Sequence, residues 1–176
     1  MVAMKLSLVP YQPAFLEAFI EWRHQPLSIR FNPLRAMSNE EISKKLETDG
    51  ADLSRLEKHE SFSWFVAADG QVVGTVSLKN ISQSMAYGEI GYGIAESHHG
   101  KGIATAGVRL MIDKIFSESR LRRLIALVHE ENHASRRVLE KLGFQEEGLL
   151  REHYLINGSP VNEVLYGLLK REWVSD

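Results

Sequence analysis

The segment EIGYGIAESHHGKGIATAG, residues 89–107, joins a strand-like run to a helix through two glycines that flank a lysine. Glycine has no side chain and lowers helix stability, so a Gly-Lys-Gly turn at this place indicates backbone that is left accessible to a ligand. The helix that follows directs its free N–H groups and the positive end of its dipole outward. An anion such as a phosphate is the ligand that this arrangement favours.

Further glycines fall within the strand-like run itself: Gly88, Gly91 and Gly93. Glycine weakens a strand and is typical of a bulge, or of a place where another group lies close to the backbone. Two common phosphate motifs do not fit. A P-loop would need glycine where Ala95 stands, and a dinucleotide-binding fingerprint would need glycine where Thr105 stands. The anion site therefore needs another explanation.

Composition limits the kind of protein. With 176 residues, 44% of them hydrophobic and 25% charged, the chain is long enough for one core, and we expect a single domain over residues 1–176. The net charge of −2 argues against nucleic-acid and polybasic membrane partners. The absence of cysteine excludes disulfides and a cysteine nucleophile, and it favours the cytoplasm. Residues 1–10 lack a sustained apolar run, so we expect neither export nor membrane insertion.

Hydrophobic periodicity and turn residues predict an α/β fold of the α+β kind, with element order βααβββαβαββ. Helices are predicted over residues 11–24, 38–50, from the Gly-Lys-Gly turn to about 116, and 134–144. Strands are predicted over 4–9, 61–68, 72–78, 85–95 and 121–129, followed by two strands around Asn157-Gly158. We interpret residues 27–37 as an irregular connection and Asp69-Gly70 as a hairpin turn.

The stretch HEENH, residues 129–133, matches the HExxH pattern of zinc hydrolases. That pattern needs both histidines on one helix, whereas His129 ends a strand-like run and the helical stripe begins at Ala134. Asn132 is better interpreted as the N-cap of the helix. A zinc hydrolase stays as an alternative function, but we expect no metal.

The stretch ENHASRRVLEKLGFQEEG, residues 131–148, together with residues 89–107, resembles the GNAT superfamily of N-acetyltransferases. Within that superfamily it is similar to the ribosomal-protein N-acetyltransferase (RimJ/RimL) branch. The resemblance implies a mixed, mostly antiparallel central sheet whose fourth and fifth strands splay apart, with helices on both faces. It also implies that acetyl-CoA is the cosubstrate and lies in the opening between those two strands.

By this resemblance the pantetheine arm pairs with the strand edge around Ile94, and Asn132 contacts the pantetheine. The pyrophosphate is expected on the backbone of a loop formed by His99, Gly100, Lys101, Gly102, Ile103, Ala104 and Thr105. The family pattern has Gln or Arg three residues before the first glycine of this loop, whereas this chain has Ser97. The loop should still bind, because its donors are main-chain amides.

The resemblance also assigns catalytic candidates. Ser135 matches the serine that donates a proton to the departing CoA thiolate in this branch, although it could instead be an ordinary first-turn serine. Many other members use a tyrosine acid at the place where this chain has Leu139. Glu89 is the candidate base, acting through water, or else a structural carboxylate. Since the chain has no cysteine, we expect the amine to attack acetyl-CoA directly in a ternary complex.

The acceptor is the least defined part. In this branch the residues 27–36 and the last hairpin line the acceptor side, which gives as candidates Arg30, Phe31, Asn32, Tyr87 and Glu163. An α-amine, with a pKa of about 7.7–8.0, is far more often neutral than a lysine at about 10.4, so a protein N-terminus is favoured. A ribosomal-protein N-terminus and a small-molecule amine both stay open, as do a monomer and a homodimer. The alternative within this fold is a non-catalytic acyl-CoA-binding module.

Overall fold

The computed structural model describes residues 4–32 and 36–175 of the chain. Its strands are β1 (Leu6–Val9), β2 (Phe62–Ala68), β3 (Gln71–Ser82), β4 (Tyr87–Ile94), β5 (Arg123–His129), β6 (Gln145–Ile156) and β7 (Ser159–Leu169). Its α-helices are α1 (Leu16–Arg23), α2 (Pro26–Phe31), α3 (Asn39–Thr48), α4 (Ile103–Glu118) and α5 (His133–Lys141). The strands form one seven-stranded sheet in the order β1-β2-β3-β4-β5-β7-β6. Among the strands of residues 4–32 and 36–175, β4 and β5 pair in parallel and every other neighbouring pair is antiparallel, so the predicted mixed, mostly antiparallel sheet is confirmed.

Helices cover both faces of the sheet, as predicted. On one face, here called the α4 face, α4 and α5 bury a core that includes Trp64, Val66, Ile90, Met111, Ile112 and Leu139. On the other, here called the α1 face, α1 and α3 pack around Phe65. The rings of Tyr11, Phe15, Phe19 and Trp22 lie 5.1–6.2 Å from the Phe65 ring. The aromatic face predicted for the first helical segment is therefore the face that the sheet buries.

The turns and the helix start that were predicted from short sequence motifs are confirmed. Asp69-Gly70 and Asn157-Gly158 both adopt positive φ angles, of 49° and 87° and of 50° and 79°, as tight two-residue hairpins require. The helix predicted from Ser38 is α3, and its capping box is formed. Glu41 N donates to Ser38 Oγ at 3.2 Å, and Ser38 N donates to Glu41 Oε2 at 2.7 Å.

The expectation of an irregular segment over residues 27–37 was wrong in its first half, because α2 is an α-helix. Pro26 occupies its first turn, where the missing N–H costs nothing, and Asn32 N donates to Ser28 O at 3.0 Å to end it. Six residues are too few to show a helical period, which is why the pattern gave no sign of it. Pro33, Leu34 and Arg35 lie outside the described residues.

The predicted splaying of the fourth and fifth strands is confirmed by the register. β4 and β5 pair only at Tyr87 with Arg123, Gly88 with Leu124 and Glu89 with Ile125. Beyond Glu89 the two strands separate, while β5 stays paired with β7 as far as His129 and Glu163. The gap between residues 90–94 of β4 and 126–129 of β5 is called the opening below.

Candidate active site

The helix that begins beside the opening has an exposed, uncapped N-terminus. Gly100 and Gly102 have φ angles of +73° and +75°, and a Cβ on either would meet no atom within 4 Å. The turn therefore needs glycine for its backbone conformation and faces open space. Gly102 precedes the first residue of α4 and supplies no side-chain cap. The first amides of α4 consequently have no partner within the helix and can receive an anion.

Of the residues predicted to form the pyrophosphate loop, one has a buried side chain and two make hydrogen bonds to nearby backbone. Ile103 is 2% exposed and packs into the core on the α4 face, so its side chain anchors the helix and only its backbone faces the turn. Lys101 Nζ donates to Ser97 O at 3.1 Å, which folds the lysine back over the turn. His99 Nε2–H donates to Ile94 O at 2.7 Å, so the loop is tied to the β4 edge at the position assigned to the pantetheine.

On the α4 face the opening is bridged by two side chains. Ser135, in the first turn of α5, donates through Oγ to the hydroxyl of Tyr92 on β4 at 2.8 Å. The Tyr92 hydroxyl donates in turn to the carbonyl oxygen of Ser135 at 2.9 Å. Burial raises the pKa of Tyr92 well above its usual range, so this phenol keeps its proton. The predicted Ser135 thus lies at the opening, held by a tyrosine.

Tyr92 was not among the site residues predicted from the sequence. The residue lies between the two strand glycines that drew attention to the backbone, and its side chain projects to the opposite face from the positions of Gly91 and Gly93. Alternation along β4 could have placed it on the buried α4 face, next to Ile90 and Ile94. Its pairing with Ser135 could not have been found, because 43 residues separate them in the chain.

The predicted N-cap at Asn132 is confirmed, since its Oδ1 accepts a hydrogen bond from Ser135 N at 3.1 Å. The positions of His129 and His133 in this segment show whether HEENH can form the HExxH zinc motif. His129 is the last residue of β5, and His133 is the first residue of α5, so the two histidines do not lie one turn apart on a helix. Within residues 4–32 and 36–175 there is no group of three or more His, Cys, Asp or Glu side chains arranged for a metal.

On the α1 face the opening is crossed by α2. At one end Leu27 N donates to Glu96 Oε1 at 2.7 Å, and Glu96 N donates to Gln25 Oε1 at 2.9 Å, just beyond the end of β4. At the other end Tyr154 OH donates to Phe31 O at 3.2 Å. The short helix therefore connects the β4 side of the opening with the β6-β7 hairpin.

Some acceptor candidates come together at the hairpin end of α2. The Phe31 ring lies 5.3 Å from that of His129, and Arg30 Nη2 lies 3.4 Å from Glu131 Oε2. His129 is directly opposite Glu163 on β7. Burial, followed by the nearby carboxylate of Glu163, raises the pKa of Tyr154 in this cluster to about 12.

Two other acceptor candidates do not join this cluster. Asn32 ends α2, with its side-chain Nδ2 donating to Ser28 O at 3.1 Å, so its contact is local. Tyr87 pairs with Arg123 at the closed end of the opening. Because His129 is six positions along β5 from Arg123, Tyr87 lies roughly 20 Å along the sheet from Glu163. Tyr87 therefore lies outside the cluster that contains Phe31 and Glu163.

Two buried carboxylates lie along the α1 face. Glu89 is held by Lys79 Nζ at 3.1 Å and by Asn80 Nδ2 at 2.7 Å, at the last pairing before the strands separate. Glu163 is held by His153 Nδ1 at 2.5 Å, near the wide end of the opening. Each is 7% exposed. Both therefore lie on the face opposite the Tyr92–Ser135 pair.

Comparison with known families gives one match over most of the chain. Residues 5–145 match the family model described as an acetyltransferase (GNAT) domain. Among curated proteins, the chain is 44% identical over 105 residues to the "Putative ribosomal N-acetyltransferase YdaF" of Bacillus subtilis (strain 168), covering 60% of this chain and 57% of that protein. It is 30% identical over 111 residues to spermidine N(1)-acetyltransferase of Escherichia coli (strain K12), covering 63% and 60%. The chain thus spans less than two thirds of either relative's length.

Solved structures extend the likeness to the whole fold. The structure of Mycobacterium smegmatis RimJ in complex with CoA-disulfide superposes with a TM-score of 0.83 at 26% identity, over 95% of this chain and 83% of that one.

Among the residues that the structure describes, no helix has the length and apolar character needed to cross a membrane.

Proposed function

The chain belongs to the GNAT acetyltransferase family, and from this premise we propose that it is an acetyl-CoA-dependent N-acetyltransferase that modifies a primary amine. One observation carries the proposal: β4 and β5 separate after Glu89, and the chain that leaves the end of β4 reaches a glycine turn that presents the uncapped amides of α4. An exposed strand edge next to an anion cradle fits a ligand with an amide-containing arm and a pyrophosphate.

The residues that would hold acetyl-CoA follow from this geometry. The β4 edge around Ile94, with which β5 no longer pairs, would lie along the pantetheine arm, and the loop His99–Thr105 would bind the pyrophosphate through its amides. Asn132 lies at the start of α5, on the other side of the opening. When bound, acetyl-CoA supplies an activated acetyl thioester.

The two faces of the opening supply different chemistry. On the α1 face the carboxylates of Glu89 and Glu163 can accept, through water, the proton that the amine loses as its nitrogen attacks. On the α4 face Ser135 can donate a proton to sulfur as the carbon–sulfur bond breaks.

Of the two carboxylates, Glu89 is our candidate base. The variants Glu89→Gln and Glu163→Gln separate the two carboxylates, because only loss of the base should remove the acidic limb of the kcat pH profile.

We propose a protein N-terminus as the favoured acceptor and a small-molecule amine as the alternative. An α-amine is partly neutral at neutral pH, so it needs less help from a base than a lysine or an alkylamine does. The names of the relatives support both classes, since one is a ribosomal N-acetyltransferase and another a spermidine acetyltransferase.

The first test is thermal unfolding with acetyl-CoA, with CoA, and separately with a zinc chelator. At a hundredfold excess over Kd a bound ligand stabilises the fold by ~2.7 kcal/mol, which raises Tm by roughly 5–10 °C for a chain of this size. Thiol release with N-terminal peptides and with polyamines then measures turnover without background, because the chain has no cysteine.

The outcomes distinguish the alternatives. A rise in Tm with acetyl-CoA together with amine-dependent thiol release supports the enzyme. A rise in Tm without thiol release on any amine would leave an acyl-CoA-binding module instead. No response to acetyl-CoA, with a loss of stability in chelator, would contradict the proposal and favour a metal-dependent function.

A further inference from the structure

We propose that Tyr92 is a positioning residue that controls which way the Ser135 hydroxyl points, and so enables Ser135 to protonate the departing thiolate; this inference rests on the proposed function. The Tyr92 phenol reaches from β4 to the first turn of α5. Its oxygen lies 2.8 Å from Ser135 Oγ and 2.9 Å from Ser135 O. One phenol thus touches both the side chain and the backbone of the proposed acid.

The number of hydrogens available limits the hydrogen-bond arrangements that Tyr92 and Ser135 can adopt. A phenol has one hydrogen, and a carbonyl oxygen can only accept. While Tyr92 donates to Ser135 O, it can offer only lone pairs to Ser135 Oγ, so the serine hydrogen points at Tyr92. In this arrangement the serine proton is held away from the opening.

Rotation of the Tyr92 O–H bond exchanges one partner for the other, because both Ser135 oxygens lie within hydrogen-bond distance of it. When Tyr92 donates to Ser135 Oγ, the serine hydrogen is released and can turn to a third acceptor. The hydrogen bond that Oγ receives also strengthens Oγ–H as a donor, since linked hydrogen bonds polarise one another. The exchange moves hydrogens and leaves the heavy atoms in place.

The surroundings keep Tyr92 and Ser135 in place. Burial holds the pKa of Tyr92 high, so it has a hydrogen to donate at every working pH. The Asn132 side chain holds Ser135 N at 3.1 Å, which fixes the backbone of the first turn of α5. Only the hydroxyl orientation is then left to be decided.

The proton balance of the step is complete. The carbon–sulfur bond breaks, its electron pair stays on sulfur, and the Ser135 hydroxyl transfers its proton there. Tyr92 donates a hydrogen bond to the serine oxygen and keeps its own proton. Solvent water returns a proton to Ser135, and the proton that the acceptor amine loses to the base passes to solvent.

The decisive experiment titrates the thiol of bound CoA by the ultraviolet difference absorbance of its thiolate. The protein has no cysteine, so the thiol of CoA is the sole thiol in the sample. In the wild type the pKa of the bound thiol should lie about one unit below that of free CoA, the size expected for one hydrogen bond to a charged sulfur. Tyr92→Phe and Ser135→Ala should each raise it towards the free value, and the double variant should raise it no further than Ser135→Ala.

Turnover provides the second measurement. Ser135→Ala should lower kcat about 100-fold and Tyr92→Phe about tenfold, with the KM for acetyl-CoA unchanged within about twofold. If Tyr92 acts through Ser135, Tyr92→Phe should have no further effect in the Ser135→Ala background. Replacing the Tyr92 phenol by the aniline of 4-aminophenylalanine keeps a donor and should restore most of kcat.

Tyr166→Phe is the matched control. The Tyr166 hydroxyl also contacts α5, accepting from Arg136 Nε and donating to Glu140 Oε1, each at 3.0 Å. Its removal should change Tm but leave the pKa of bound CoA unaltered. Multiplicative losses in the double variant, or a Tyr92→Phe protein with the wild-type thiol pKa, would overturn the proposal for Tyr92 alone. Absence of CoA binding to the wild type would overturn the proposed function as well.

Discussion

Two helices begin on the borders of the opening, and they begin in different ways. Before α4 stands Gly102, in the left-handed region and without a side-chain cap. Before α5 stands Asn132, whose side chain satisfies Ser135 N. Free N–H groups at a helix start are normally satisfied by such a cap. The first turn of α4 therefore has no side-chain acceptor for its amides, whereas the first turn of α5 has one.

Because the two helix starts differ in this way, substitutions at them should change different quantities: the affinity for acetyl-CoA at α4, and the stability of the fold at α5. Changes at the start of α4 should act mainly on acetyl-CoA binding, because a side chain at Gly100 or Gly102 would meet no other part of the protein. Changes at the start of α5 should act on the free energy of unfolding and on kcat, because that turn holds the Tyr92–Ser135 pair. The predictions below test this separation.

The largest effect is expected from Gly102→Val. An L-residue in the left-handed region costs about 1–2 kcal/mol, and a β-branched one is the least tolerant, so the turn should distort and misalign the amides. Acetyl-CoA should bind about 10–100-fold more weakly by isothermal titration calorimetry. Gly102→Asn is the control, since asparagine accepts positive φ, and it should retain most of the affinity. Equal affinity in the valine variant and the wild type would show that this turn is not the anion site.

The next effect is the loss of the α5 cap. Asn132→Ala should lower the free energy of unfolding by about 1 kcal/mol in urea denaturation, because Ser135 N loses its acceptor. Asn132→Ser keeps a capping oxygen and should recover most of this loss. If the serine variant recovers stability but not kcat, the Asn132 amide contacts the ligand as well; if neither variant loses stability, the cap contributes nothing.

A matched pair of charges tests the two helix starts directly. Ala104 and Ala134 occupy equivalent positions in the first turns of α4 and α5. A glutamate at either should stabilise the ligand-free protein by about 0.3–1 kcal/mol through the helix dipole. Ala104→Glu should also weaken acetyl-CoA binding by repelling the pyrophosphate, while Ala134→Glu should not. Similar weakening by both substitutions would remove the proposed distinction between the helices.

The smallest effect comes from a pair outside both helix starts. The hydrogen bonds from Arg123 hold the pKa of Glu147 below the usual range of a glutamate. A carboxylate with a lowered folded-state pKa stabilises the fold above its unfolded pKa, and this contribution is lost as pH falls through the folded value. Glu147→Gln should cost less than about 1 kcal/mol at pH 7, since the pair is partly exposed, and the difference should vanish in acid. A constant difference across pH would contradict this assignment.

Much of the fold could be predicted because its signals are local. The hairpin at Asp69-Gly70, the capping box at Ser38 and the glycine turn before α4 each depend on a few adjacent residues. The N-cap at Asn132 was predicted correctly for the same reason. By contrast, α2 is too short to show a period, and its role in crossing the opening depends on Glu96 and Tyr154, which lie far along the chain.

The grouping of candidate site residues depended on strand register. Alternation placed side chains on faces but could not say which end of β5 each neighbouring strand would meet. The register sets Tyr87 at the closed end of the opening and Glu163 at the wide end. The packing of α5 against the α4 face then puts Ser135 on the opposite side of the sheet from Glu89 and Glu163, an arrangement that no motif encodes.

The sequence by itself determined the strands, every α-helix except α2, the hairpin turns and the glycine turn before α4, because these depend on hydrophobic period and backbone freedom within a few residues. The tertiary structure decided that β4 and β5 separate after Glu89, that α2 crosses the gap, and that Tyr92 meets Ser135. Those contacts join residues that are far apart in the chain, so they exist only once packing has fixed the register of the sheet and the position of each helix upon it.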